Sequence, residues 1–377
     1  MDPTQLIGPS SALGYPAPYW LMAAFKVLGF TLHLLPMNLW FAGILIAMLL
    51  RRRGGEHARH FSIRLMNQMP IIIALGINFG IVPLLFTQVA YHKVFYPATI
   101  LMAWPWFSVI GMLVFAYYGV YLYVIGLRDG KMTSWKVTAG WVAAVLFIVI
   151  GFVFSNAFTL MTNLSQWPGL WEHSSVAGAP TGIALNTGDP TLWPRWLMVF
   201  GLALMTTGAY AVVDAGLFAR RETDAYRRWV SGFALRLYSL GVIWFAVTAS
   251  WYVFGTWGAD VRTMMFGGGL IGLTGLTAAA PALPWLVILA QRAGVTPVLA
   301  LATGLLQVVV LALNATSRQV VQNAELRRFL DVTAERLNMQ WSPMIVFMVL
   351  FVAGLGVVAW MVGKAVHASR EPVTAKS

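Results

Sequence analysis

Residues 19–53 read YWLMAAFKVLGFTLHLLPMNLWFAGILIAMLLRRR. A helix crosses a bilayer with roughly 20 apolar residues. This run exceeds that length and stops at Arg51, Arg52 and Arg53. Near its middle stands His33, with Lys26 seven residues earlier on the same helical face. An ionisable side chain inside a membrane is costly, so it is by default a functional-site hypothesis. The composition points the same way. Of 377 residues, 59% are hydrophobic and 10% are charged, where a soluble chain carries about 25% charged. Cysteine is absent, which excludes disulfides, thiolate zinc sites, iron–sulfur clusters and covalent c-type haem attachment. The net charge of +12 fits cytoplasmic loops that collect Lys and Arg better than it fits nucleic-acid binding.

Outward from this stretch, nine apolar spans are expected, at about 19–50, 67–90, 98–127, 136–162, 193–219, 230–255, 266–290, 296–316 and 342–364. Residues 1–377 then form a single all-α transmembrane domain, a polytopic helical bundle in the lipid bilayer. Basic residues cluster on alternate connections. Arg51–Arg53, Arg59 and Arg64 follow the first span, and Arg128, Lys131 and Lys136 the third. Arg220, Arg221, Arg227 and Arg228 follow the fifth, Arg292 the seventh, and Lys364, Arg370 and Lys376 the ninth. The positive-inside rule makes that side cytoplasmic, with the N-terminus outside and the C-terminus inside. Of the outer connections, 163–192 is rich in Gly, Pro, Ser, Asn and Trp and reads as an ordered or partner-covered loop. Residues 317–341 read as a short surface helix with charges of both signs. No fixed-period repeat occurs.

The main ionisable residues within the spans are Lys26, His33, Asp214 and Arg236. Asp214 and Arg236 both fall near the cytoplasmic side and read as a structural ion pair, with a proton relay at Asp214 as the sharper alternative. Lys26 is long enough to snorkel toward the outer interface. His33 is either a core histidine bonded to a neighbouring helix or an axial haem ligand. His57, His60 and His367 fall on the cytoplasmic side, His92 and His173 on the outer side, and no two histidines share a span. There is no P-loop, nucleophile elbow or His-Glu-x-x-His. Gly267, Gly268 and Gly269 suggest close helix packing. Trp167, Trp171, Trp193 and Trp257 suggest an interfacial belt.

Several short motifs, taken in order, carry a family likeness. They are Leu32-His33-Leu34-Leu35-Pro36, then Phe61–Val82 with Leu75-Gly76-Ile77-Asn78-Phe79-Gly80, then Ser155-Asn156-Ala157, Arg262-Thr263-Met264 and Ser317-Arg318-Gln319. In this order, over nearly the whole chain, they resemble subunit I of the cytochrome bd quinol oxidases. The resemblance implies a nine-span respiratory membrane subunit of the bacterial inner membrane. It implies a haem-ligating histidine at His33, and an Arg-x-Met at Arg262 and Met264 whose methionine ligates a low-spin haem. A b-type haem, quinone, a partner membrane subunit and an extracytoplasmic cytochrome follow as expected associates.

The departures are as informative. The family's second low-spin ligand, a histidine, falls near Arg195 or Trp196. Its glutamate before Gly-Arg-Gln falls on Ala315, Val82–Val89 contains no acid, and the long quinol-binding loop shrinks to about 255–266. The spans as drawn contain no Glu. A competent terminal oxidase is therefore not expected. A membrane oxidoreductase subunit that relays electrons between the quinone pool and a partner cytochrome, or anchors that partner, is expected instead. The alternative is a haem-free scaffold that kept the fold without the chemistry. At most one haem is expected, on His33, with Met264 too far away to share its iron.

Overall fold

The computed structural model describes residues 1–219 and 222–368; Arg220, Arg221, Arg370 and Lys376, used above for orientation, lie outside them. In chain order the elements begin α1 (Tyr19–Arg53), α2 (Glu56–Ala90), the short α3 (His92–Leu101), α4 (Ala103–Arg128), α5 (Ser134–Thr162) and the short α6 (Trp167–His173). A hairpin follows, β1 (Ser175–Val176) with β2 (Ala179–Pro180). Then come α7 (Leu192–Phe218), α8 (Asp224–Gly255), the short α9 (Ala259–Phe266), α10 (Gly268–Ala290), α11 (Pro297–Leu326) and α12 (Trp341–Ala368). Among the described residues nine of these helices are long and apolar enough to cross a membrane.

The bundle is built around α1 and α7, whose most apolar windows are 67% and 61% buried, while that of α12 is wholly unburied. α1 lies mainly against α2, and α7 against α8. Each of α1 and α7 contains one wide π turn, at Leu39–Gly43 and at Asp214–Phe218. Such turns re-aim the side chains that follow them. One end of the bundle carries the N-terminal segment, where Asn338 N–H donates to Tyr15 O at 2.8 Å. The other end carries Arg51–Arg53 and the joint where Ser231 Oγ donates to Gln291 O at 2.6 Å.

Several sequence expectations shift. The second helix begins at Glu56 rather than near 67, so His57, His60 and Arg64 stand on it. The stretch near 98 is cut at Met102 into α3 and α4. The 317–341 surface helix does not exist as drawn. α11 runs unbroken to Leu326, because Ala315, Gln319, Gln322 and Leu326 keep a buried helical face. Glu325 therefore lies on a spanning helix, which corrects the reading that the spans hold no Glu.

Gly267–Gly269 do not seat a neighbouring helix: a Cβ on Gly268 or Gly269 meets nothing within 4 Å. Gly268 instead takes φ +52° and turns α9 into α10. Trp167 and Trp257 are buried in the packing rather than in a belt, and the Trp167 indole donates to Leu160 O at 2.8 Å. The outer loop is ordered. Its hairpin turns on Ala177 and Gly178, both at positive φ as a tight primed turn requires. It is pinned where Asn186 N–H donates to Asn156 Oδ1 at 3.2 Å.

Candidate functional site

His33 is held by the GxxxG groove of α2. Its Nδ1 lies 2.8 Å from the carbonyl oxygen of Gly76. A carbonyl only accepts, so Nδ1 carries the proton and Nε2 keeps its lone pair. Both glycines are needed for this fit. A Cβ at Gly80 would come within 2.8 Å of the His33 ring, and one at Gly76 would overlap the Trp40 indole. Trp40, two helical turns further along α1, meets the imidazole edge-on at 5.8 Å.

His33 opens on a cavity of about 300 Å³ between α1, α2, α4, α5, α7 and α11. Most of its wall is apolar and aromatic, including Phe30, Trp40, Phe147 and Phe154. Ile81 both lines it and is 48% exposed, so it reaches the apolar flank of the bundle between α2 and α4.

Toward the N-terminal face the wall changes character. Lys26, Arg318, Gln319 and Gln322 line it there. Lys26 ends on protein partners at this side of the cavity. Its Nζ donates to Gln322 Oε1 at 2.9 Å and stands 4.3 Å over the Tyr91 ring. The Arg318 guanidinium lies over the rings of Phe30 and Phe158, at 4.9 and 5.1 Å. Two further donors are buried without a partner among the described residues, Gln322 Nε2 and Trp196 Nε1, and both residues line the cavity. Among the described residues no Asp or Glu lines it. The wall thus offers an imidazole lone pair at one place and a concentration of cations and N–H donors at another. That combination suits a flat apolar molecule carrying a metal and acidic groups.

The residues singled out from sequence separate. Met264 lies on α9, packed against the buried cluster of Tyr252, Trp257, Val261, Met265 and Val321, and Arg262 is exposed on the same short helix. Neither lines the His33 cavity. Arg195 and Trp196, at the place of the family's missing histidine, divide their roles. Trp196 faces the cavity, while Arg195 turns to Glu325 at 3.6 Å and stacks on Tyr252. Ala315, at the place of the family's glutamate, lines the cavity. Sequence reasoning missed Arg318 as a site residue because it ended the eighth span too early.

The expected Asp214–Arg236 pair is absent. Arg236 is exposed and donates to Gly232 O, since its place on α8 points it away from the bundle. Asp214 is buried and gripped in two-pronged fashion by Arg64, Nε to Oδ2 at 2.8 Å and Nη2 to Oδ1 at 2.9 Å. Arg64 also reaches Glu222 at 3.2 Å, which lies 2.8 Å from His60 Nε2. Tyr210 donates to Gln68 Oε1, and Gln68 donates to Asp214 Oδ1.

No protein-family model matches this chain, and no curated protein matches it in sequence. Its fold does match a solved structure, bd oxidase from Geobacillus thermodenitrificans, with a TM-score of 0.70 over 96% of this chain and 100% of that chain, at 11% sequence identity. The chain is a multi-pass helical membrane protein with a bd-oxidase-like fold.

Proposed function

We propose that this chain is a subunit of a membrane electron-transfer complex in which His33 Nε2 ligates the iron of a single b-type haem. One observation carries the reading. The only hydrogen-bonding group that the described residues offer His33 takes up Nδ1, so the lone pair of Nε2 is free on the side of a cavity that also gathers Lys26, Arg318 and N–H donors without any acid. A ligating histidine whose other nitrogen donates to a carbonyl is oriented and made more basic by that bond. Lys26 and Arg318 would neutralise acidic side groups of the haem, and the aromatic wall would exclude water from its faces. When bound, the haem supplies a one-electron redox centre.

The bd-oxidase-like fold supports a respiratory setting in a bacterial inner membrane, with a partner membrane subunit, exchange with the quinone pool and an extracytoplasmic cytochrome. The basic connections support an orientation with the Arg51–Arg53 end in the cytoplasm and the N-terminal face outside. With Ala315 where the family has a glutamate and no carboxylate lining the cavity, oxygen reduction by this chain alone is not part of the reading.

The visible spectrum of the protein purified with its partners tests it. A Soret band is expected, absent in His33→Ala protein that still inserts, and little changed in Met264→Leu protein. A band that survives His33→Ala moves the cofactor elsewhere. No band in the unmutated protein favours the haem-free scaffold.

A further inference from the structure

Between the cavity and the N-terminal face stands a compact cluster of phenols and amides that the haem reading does not use. Tyr19 opens α1, and Tyr91 follows the last residue of α2. Their hydroxyl oxygens are 2.6 Å apart. Each also lies within hydrogen-bond distance of Asn323 Oδ1 on α11, Tyr19 at 2.9 Å and Tyr91 at 2.6 Å. Gln319 Nε2 donates to the Tyr91 hydroxyl.

The proton count of this cluster is unusual. Three short oxygen–oxygen contacts form a triangle, and an amide oxygen has no proton to give. The two phenols supply two protons for three contacts. At any moment one contact lacks a proton, and the arrangements Tyr19 to Tyr91 to Asn323 and Tyr91 to Tyr19 to Asn323 compete. Gln319 Nε2 caps the triangle, 3.1 Å from Asn323 Oδ1 and 3.4 Å from the Tyr19 hydroxyl, and leaves the choice between the two arrangements open. A relay gains two nearly equivalent proton arrangements.

The triangle also spans the right gap. Tyr19 is partly exposed near the N-terminal face, while Tyr91 is buried and sits under the Lys26 ammonium. Lys26 and Gln319 touch Tyr91 and line the cavity as well. Lys26 has a flexible four-carbon stem and, among the described residues, no carboxylate partner.

We propose that Tyr19, Tyr91 and Lys26 form a proton relay joining the His33 cavity to the N-terminal face, the outer face in the orientation proposed above. The Lys26 ammonium gives a proton to an oxygen in the cavity. The Lys26 stem swings Nζ from the Tyr91 ring face to its hydroxyl, Tyr91 Oη re-protonates the amine there, Tyr19 Oη re-protonates Tyr91, and outer water re-protonates Tyr19. Each bond to hydrogen that breaks is replaced, one proton moves inward in total, and no electron is involved. The reverse sequence carries a proton out. The purpose, balancing charge as a haem changes oxidation state, rests on the reading of His33; the path does not.

The test reads the haem and the tyrosines separately. The protein with its partners is placed in vesicles, N-terminal face outward, and the outer pH is stepped while the inner pH is held. The Soret spectrum of partly reduced protein is expected to relax with the outer step. Tyr91→Phe should slow that relaxation at least tenfold without moving the band, Lys26→Met should slow it as much in whatever haem that variant retains, and Tyr19→Phe should slow it too. Relaxation that follows only the inner pH, or rates in Tyr91→Phe and Lys26→Met as fast as in the unmutated protein, would overturn the relay. The second arm needs no haem. Infrared spectra of protein carrying isotope-labelled tyrosine are recorded after the outer medium is changed to D2O. A fast-exchanging phenol signal that Tyr91→Phe removes, and that Tyr19→Phe delays at least tenfold, supports the path even where no Soret band exists. If the Tyr91 signal exchanges only slowly, or exchanges equally fast in Tyr19→Phe, the path is wrong whatever His33 binds.

Discussion

The two ends of this bundle handle buried charge in opposite ways. At the Arg51–Arg53 end, Arg64 is shared between Asp214 and Glu222, and Glu222 is shared with His60. Each of these four side chains faces an opposite or hydrogen-bonding partner. Around the His33 cavity, Lys26 and Arg318 meet, among the described residues, only an amide oxygen and aromatic faces. Burying a charge is costly unless it is paired and hydrogen-bonded. The first arrangement therefore reads as one that holds α2, α7 and the start of α8 together. The second gives up stability locally, and sites that bind or react are where folds commonly do so.

Mutation should separate the two ends sharply. Arg64→Ala leaves the Asp214 carboxylate buried with, among the described residues, a side-chain hydrogen bond from Gln68 alone, and should cost about 3–5 kcal/mol. The double change Arg64→Gln with Asp214→Asn should recover most of that loss, because no isolated charge then remains. Lys26→Met removes a single bond to Gln322 and should shift stability by less than about 1 kcal/mol, while lowering the haem retained per chain severalfold. Thermal unfolding in detergent, read beside the Soret-to-protein absorbance ratio, checks both halves. Equal destabilisation by Arg64→Ala and Lys26→Met would erase the contrast.

A sharper probe of the cavity end is Gly80→Ala. The added methyl would press on the His33 ring, which must tilt or lose its bond to Gly76. Overpacking of this kind costs about 1–3 kcal/mol. The spectrum should change far more than stability does, with a shifted or weakened Soret band. Ala introduced at Gly272, where a Cβ meets nothing within 4 Å, is the matched control. A Gly80→Ala spectrum identical to the control would mean that the α2 groove does not set the imidazole.

The smallest effect belongs to a third kind of pair, exposed and outside the spans. Arg328 grips Asp260 at the N-terminal face, and that hydrogen bond holds the Asp260 carboxyl below its ordinary range. A carboxyl lowered in the folded state contributes stability above the unfolded value of about 3.9, and the contribution is lost as pH falls through the folded one. Both side chains are more than half exposed, so Asp260→Asn should cost less than about 0.5 kcal/mol. Unfolding midpoints at pH 7 and pH 3 should differ slightly less in the variant than in the unmutated protein.

Much of this architecture was legible in the sequence for a simple reason. A membrane demands long apolar runs, and composition records them directly. The number of spans, the central place of His33 on the first, and the one-sided Lys and Arg could be read without any contact. So could the motif Leu75–Gly80, although not that its two glycines admit His33 and Trp40. Which charges meet could not be read. Asp214 pairs with Arg64 rather than Arg236 because the partner of a helical face is chosen by packing between helices distant in the chain. Arg318 looked like a loop residue because polar side chains crowd the end of α11. Only the folded bundle, by giving Gln319, Gln322 and Asn323 partners on α1 and beside α2, lets that helix continue. Met264 and His33, joined by family likeness, are kept apart by the turn at Gly268 and by the cluster into which α9 folds. Local pattern determines where a helix lies and which face is apolar; the cavity, its cations and its free imidazole nitrogen exist only where several such faces converge.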